Sequence, residues 1–200
     1  QRQLPKESKE FMLVSRLFRD IMKRTKERPN ALQAATVPGL LDTLQKCNAA
    51  LEMVQNNLEA YLEVKRSDFP RFYFLSNDAL LEILSQIKNP QAVQPHLQKC
   101  FDGIVSLDFG PTPKSIDILA MVGMEGEKVS LGRNLKARGN VEQWLSLVES
   151  SMRQSLQLLA RKGWKEYPNA NRLKWIQSQP AQLALVVSNV YWCSYVEEAL

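Results

Sequence analysis

The stretch Pro38-GLLDTLQKCNAALEMVQNNLEAYLEVK-Arg66 decides the fold. Leu40, Leu44, Cys47, Leu51, Val54, Leu58 and Tyr61 fall at alternating spacings of four and three. That is a heptad-like apolar stripe on one helical face. Pro38 suits a first helical turn, and Asp42 sits near the positive helix end. A helix over 38–66 would be about 43 Å long at 1.5 Å per residue. It is too long to be buried all round in a small globule. The reading is a strut with one continuous packed side, which would give it stiffness. A single stripe of this length suits a bundle better than a free two-chain coiled coil.

Upstream, Phe11, Val14, Phe18 and Ile21 recur at spacings of 3, 4 and 3, which predicts an amphipathic helix over 9–28. Arg28-Pro29-Asn30 stops it, because proline disfavours helical geometry in the residue before it. This helix is the expected antiparallel partner of the strut. Downstream, Phe69-PRFYFL-Ser76 is a dense aromatic cluster whose Pro70 breaks any continuous helix. Ser76 reads as the cap of a helix carrying Leu80, Leu81, Ile83, Leu84 and Ile87, which ends at Asn89-Pro90. A short helix is expected over 91–101.

Between 104 and 132 the period changes. Ile116, Ile118, Ala120 and Val122 alternate with Asp117, Leu119 and Met121, and Val129 and Leu131 alternate after Glu125-Gly126. The expectation is a β-hairpin over about 115–132 with its turn near 123–127, led in by Gly110-Pro111-Thr112-Pro113. It stands alone among helices in this reading, so it must pack on something. Helix returns at 141–162, with Asn140 and Gln143 placed like a cap and its partner, and Gly163 placed as a left-handed cap. Val141, Leu145, Val148, Met152, Leu156 and Leu159 mark its buried face. A polar stretch with Trp164, Tyr167 and Trp175 precedes a last helix from near Pro180, carrying Leu183, Val187, Val190 and Val196. That helix meets no stop signal before Leu200, so a longer protein is expected. The fold class is mainly α: an elongated helical bundle with a long strut helix and one inserted β-hairpin. Two parts are expected, 1–68 with the basic helix and the strut, and 69–200 with the hairpin.

The chain has 200 residues and a net charge of +5. Residues 1–28 contribute +5, 29–132 contribute −4, 133–174 contribute +6 and 175–200 contribute −2. The basicity sits in two blocks, read as solvated helix faces or as surfaces for an anionic partner. No apolar run approaches the roughly 20 residues of a membrane helix, and no secretory signal opens the chain. Cys47, Cys100 and Cys193 are odd in number and far apart, which argues against a disulfide framework.

Catalytic chemistry is hard to place. The nearest approach to a phosphate loop, Gly123-Met-Glu-Gly126-Glu-Lys128-Val-Ser130, lacks the Gly-Lys-Ser/Thr junction and lies in a hairpin turn. His96, the single histidine, has only Cys100 near it, and two ligands do not make a metal site. A histidine-based triad is improbable for the same reason. Arg66, Phe69, Arg71, Phe72, Tyr73 and Phe74 interleave bases and rings, but a packed junction explains them better than nucleic acid. No catalytic, cofactor-binding or metal residues are assigned. Mechanical or binding roles fit better than catalysis.

Several stretches resemble the linker region of dynein heavy chains, in its C-terminal part. The block Tyr61-LEVKRSDFPRFYFLSNDALLEI-Leu84 resembles that family's most distinctive linker sequence, and Val93-QPHLQKC-Phe101 continues it. Glu125-GEK-Val129, Val141-EQW-Leu145 and Val190-YWCSYVEE-Ala199 agree in order and rough spacing. Phe74-Leu-Ser-Asn-Asp78 looks more axonemal than cytoplasmic.

The resemblance implies a non-catalytic lever lying across a ring of six AAA modules. ATP and magnesium would belong to that ring, with no cofactor in this chain. The implied partners are the ring of the same heavy chain, other dynein subunits, and microtubules through the parent motor only, with neither nucleic acid nor membrane. The implied location is the cytoplasm and cytoskeleton, in the axoneme of cilia and flagella. Phe69, Pro70, Arg71, Phe72, Tyr73 and Phe74 are then the candidate hinge or packing junction. Met124, Glu125, Gly126 and Glu127 are the candidate ring contact. The alternative is a helical adaptor that binds partner helices through the heptad stripe.

Overall fold

The computed structural model describes residues 4–85, 89–112, 115–132 and 135–200. The fold is mainly α with one small antiparallel sheet. It divides into two compact units, residues 1–65 and 66–200.

The first unit holds α1 (Pro5–Glu27), the short α2 (Ala31–Ala35) and most of α3 (Leu40–Asp68). Pro5 sits in the first turn of α1, where its missing N–H costs nothing. Asn30 caps α2 by accepting a hydrogen bond from the Gln33 N–H at 3.1 Å. Pro38 lies in the turn before α3 rather than in its first turn, because Gly39 takes a positive φ of 75° that a helix cannot hold. α1 and α3 run antiparallel, as expected: Asn57 Nδ2 donates to Glu7 Oε1 at 3.1 Å at one end, while Ile21 and Leu40 share a cavity at the other. The stripe is only partly covered. Among its members Cys47 is buried, Leu40, Val54, Leu58 and Tyr61 are half-buried, and Leu44 and Leu51 are exposed.

The second unit begins with the 3₁₀ turn Pro70–Phe74 and α4 (Asn77–Ser85). Ser76 caps α4, its Oγ accepting from the Ala79 N–H at 3.3 Å. Ala79, Leu80, Ile83 and Leu84 are buried; Ile87 lies outside the described residues. The segment expected as one helix over 91–101 is a 3₁₀ run, Pro90–His96, followed by α5 (Leu97–Cys100).

The sheet differs from expectation. β2 (Ile118–Val122) and β3 (Lys128–Ser130) form the hairpin, but β1 (Ser106–Phe109) adds a third strand, in the order β1-β2-β3. β1 pairs with β2 from Ser106↔Val122 to Phe109↔Ile118, with a bulge after Asp108. Its outer edge is met by Gln94, which accepts from the Leu107 N–H at 3.0 Å and donates to the Leu107 carbonyl at 2.7 Å. One side-chain amide therefore occupies ladder groups that an open edge would leave unpaired. Of the loop leading in, Pro113 lies outside the described residues.

α6 (Val141–Glu166), α7 (Arg172–Ser178) and α8 (Ala181–Ala199) complete the chain. Asn140 makes no side-chain cap; its carbonyl accepts from Gln143 and Trp144 instead. Val141, Leu145 and Val148 are buried as expected, and Trp144 joins them, whereas Met152, Leu156 and Leu159 are half-buried. Gly163 does not end α6. It sits inside the helix with ordinary φ, buried, where a Cβ would lie 3.4 Å from Trp175 Cζ2 and 3.9 Å from Val187 Cγ2. Glycine here serves the close approach of α7 and α8. On α8, Leu183, Ala184 and Val187 are buried, while Val190 and Val196 are exposed.

Candidate functional site

The six junction residues divide by burial. Phe69 and Phe72 are fully buried and meet edge to face, with centroids 5.0 Å apart, and Phe69 also tilts against Phe101 at 6.2 Å. Tyr73 and Phe74 are exposed, and Pro70 opens the 3₁₀ turn. Arg71 makes three connections at once. Its Nη1 donates to the Cys100 carbonyl at 3.0 Å, its Nη2 lies 3.3 Å from Glu149 Oε1, and its guanidinium lies over the Phe101 ring at 4.7 Å. Glu149 is also held by Arg153 at 2.6 Å. The turn is thereby tied to the end of α5 and to the third turn of α6. Arg66 adds a bond of 2.6 Å to Asn77 Oδ1, across the same turn.

The hairpin turn carries Met124, Glu125, Gly126 and Glu127. Gly126 adopts φ 81°, and its N–H donates to the Gly123 carbonyl at 3.1 Å. The Gly123 N–H donates to the Glu127 carbonyl at 2.8 Å. Met124 is 75% exposed at the tip. Glu127 folds back: its Oε2 accepts from the Ala181 N–H, the first of α8, at 3.3 Å. Pro180 offers no side-chain cap there, so a carboxylate 54 residues away supplies one. A Cβ on Gly123 would fall 2.8 Å from Glu127 Cγ, so glycine permits the fold-back. This stretch does not fit a phosphate, since two of its amides are spent within the turn and a carboxylate lies beside them. No sequence signal links residues 127 and 181.

His96 Nε2 lies 3.4 Å from Glu82 Oε2, so its neighbour is a carboxylate on α4. Burial pushes the Cys100 thiol up to about 11, against the pull of Arg71 and Lys99. That is a protonated, inert thiol. Among the described residues no group of three or more His, Cys, Asp and Glu is placed to hold a metal ion. No helix there is long and apolar enough to cross a membrane.

Between α1 and α3 lies an apolar groove of about 730 Å³, lined by Phe11, Val14, Phe18 and Ile21 on one side and Leu44, Cys47 and Leu51 on the other. Phe11 and Phe18 remain about half exposed. The heptad stripe therefore forms one wall of a groove rather than a closed seam.

The family profile described as dynein heavy chain, N-terminal region 2, matches residues 1–163. The chain belongs to the dynein heavy chain family. It is 50% identical to human dynein axonemal heavy chain 6 over 217 residues, covering 100% of this chain and 5% of that protein. Human dynein axonemal heavy chain 12 is 45% identical over 99% of this chain, and mouse dynein axonemal heavy chain 1 is 44% identical over 100% of it. The chain thus spans about a twentieth of these relatives' length. Within that heavy-chain segment, Arg71 ties the aromatic turn at 70–74 to Glu149, and Glu127 ties the hairpin turn to the start of α8.

Proposed function

We propose that this chain is the linker, a non-catalytic lever, of an axonemal dynein heavy chain. It would couple ATP-driven changes in the AAA ring to movement along microtubules in cilia and flagella. The observation that carries this reading is the match to heavy-chain N-terminal region 2, together with full-chain alignment to relatives named as axonemal. The structure supports it physically. A lever needs a stiff member, and α3 is 29 residues of uninterrupted helix, about 44 Å at 1.5 Å per residue. It also needs a joint with defined seats, and the Phe69–Phe74 turn is fixed by a few discrete contacts rather than by a flexible loop. Met124 at the hairpin tip is the free apolar group for a contact with the ring, while Glu127 is already engaged by α8. Catalysis and nucleotide would belong to the ring.

The test breaks the rod without touching the ring. Asn56 is exposed in the middle of α3, and proline there removes a helical hydrogen bond and costs about 3 kcal/mol. In the full heavy chain, Asn56→Pro is expected to leave ATP turnover running while gliding velocity falls, with Asn56→Ala as the neutral control. Unchanged velocity with Asn56→Pro would overturn the lever reading.

The open groove between α1 and α3 favours a second reading, in which the stripe seats a partner helix as an adaptor does. A stable dimer of the 200-residue chain, abolished by Leu44→Asp, would favour it.

A further inference from the structure

The face shared by α6 and α8 carries an unusual combination. α8, Ala181–Ala199, is apolar nearly all round, and a helix of that kind is normally covered on every side. Here only Leu183, Ala184 and Val187 are buried. That buried face continues past Val187 into a ladder of rings, where Tyr191 packs against the cluster of Tyr167, Trp175, Ala184 and Val187. Tyr167 stacks on Tyr191 with centroids 4.5 Å apart, Trp164 lies 4.9 Å from Tyr191, and Tyr195 follows at 6.0 Å. The Tyr191 hydroxyl donates to the Trp164 carbonyl at 2.8 Å, which fixes the ladder in place. Trp164 is 44%, Tyr195 47% and Trp192 65% exposed. A rigid, half-open aromatic surface of this kind marks an interaction site.

The charges beside it have one sign. Arg161 and Lys165 flank Trp164 on α6, and Arg172 lies over the Tyr167 ring at 4.2 Å. None of the three makes an ion pair among the described residues. The neighbouring carboxylate, Glu166, is engaged by Lys162 at 3.7 Å. Glu197 and Glu198 stand at the far end of α8, beyond Tyr195. The face is therefore cationic at its Trp164 end and acidic at its Tyr195 end. Tyr167 and Tyr191 stack on each other, and the carboxylates at the Tyr195 end would repel a phosphate backbone. A protein segment fits better.

We propose that this face is the docking site of an acidic amphipathic helix supplied by another part of the same heavy-chain polypeptide. The apolar side of that helix would cover Trp164, Trp192 and Tyr195, and its carboxylates would meet Arg161, Lys165 and Arg172. Relatives of this chain are some twenty times longer, so a tethered helix is available at high effective concentration without a separate partner. The inference rests on family membership and not on the lever reading, and its readout is not motility.

The test is hydroxyl-radical footprinting of the 200-residue chain and of the heavy chain that contains it. Trp164, Trp192 and Tyr195 are expected to oxidise readily in the former and to lose that oxidation in the latter. A photo-crosslinker placed at Trp192 should then capture an acidic heavy-chain peptide. Arg161→Glu with Lys165→Glu should restore oxidation by about two- to fivefold per contact. Both side chains are exposed and make no ion pair among the described residues, and an unchanged helical circular dichroism spectrum checks that the variant is folded. Equal oxidation of the three rings in both proteins overturns the proposal. So does capture of a different polypeptide or a second copy, quenching of Trp fluorescence by single-stranded DNA at low salt, or protection that ignores the charge reversal.

Discussion

Gly163 offers a substitution whose sign separates two structures. If it closes α6 as a left-handed cap, alanine there must adopt a positive φ and loses about 1 kcal/mol. If it lies inside the helix, as found, the same change is favourable. A methyl group at this position would meet Trp175 Cζ2 at 3.4 Å, Gln179 Oε1 at 3.6 Å and Val187 Cγ2 at 3.9 Å. Those are contacts, not clashes. Removing glycine from a helix interior is worth about 1 kcal/mol, and burying one methyl adds about 0.8 kcal/mol. A shift of a few tenths of an ångström by the Trp175 ring offsets part of this. The expected net effect of Gly163→Ala is a gain of about 0.5–1 kcal/mol.

Valine turns the sign around. Its two γ-methyls extend beyond Cβ into the space held by Trp175 and Val187, and overpacking of this kind costs about 1–3 kcal/mol. Against the propensity gain, Gly163→Val should lose about 1–2 kcal/mol. The assay is urea unfolding followed by tryptophan fluorescence. All four tryptophans, at 144, 164, 175 and 192, lie in the second unit, so the signal reports that unit alone. A change of 1 kcal/mol moves the thermal midpoint by about 2–5 °C in a unit of this size. Loss of 1 kcal/mol or more with alanine would refute the reasoning and restore the cap.

Gly126 should behave in the opposite way: with φ 81°, Gly126→Ala is expected to cost about 1–2 kcal/mol, seen as faster amide exchange across β2 and β3. Arg71→Ala removes the bond to the Cys100 carbonyl, the pairing with Glu149 and the contact over Phe101, and should cost about 1–2 kcal/mol in the same fluorescence assay. Arg71→Lys should recover less than half, since one ammonium cannot serve both acceptors and the ring. With iodoacetamide at pH 8, exposed Cys193 should alkylate well before buried Cys47 and Cys100. Because the folded state raises the Cys100 pKa, it favours the neutral thiol; that contribution is intact below pH 9 and is lost as pH rises from about 9 to about 11. Cys100→Ser should flatten that alkaline decline in stability.

What the residues disclosed in advance follows the range of the interactions involved. Ser76 was legible as a cap because its partner, the Ala79 N–H, is three residues away. The faces of α1 and α6 were legible because periodicity is local. β1 was not: four residues, Ser106–Phe109, carry no run long enough to show alternation, and the Gln94 amide holds their edge from outside. Gly163 looked like a stop because cations precede it, yet helix α6 continues to Glu166, where packing against Trp175 and Val187 overrides the local signal. The Glu127 cap on α8 and the Arg71 bridge to Glu149 span 54 and 78 residues, and nothing in either neighbourhood announces the other. The Trp164–Tyr191 contact, 27 residues apart and between two helices, was not legible either.

Periodicity identifies which face of a helix is apolar, but it is silent on how much of that face is covered. The stripe of α3 was read as one continuous packed side, and the structure shows a single antiparallel neighbour leaving a groove of about 730 Å³. The uncovered part bears on the stiffness of the proposed lever. A seam closed by a partner resists bending through both helices, whereas a half-open seam takes much of its stiffness from whatever seats in the groove. The same holds for α8, whose apolar surface exceeds what α6 and α7 cover. Both units thus present helices only part of whose apolar surface is satisfied internally. If the chain serves as the proposed lever, its rigidity would depend on occupancy of those faces, and docking there would change its stiffness.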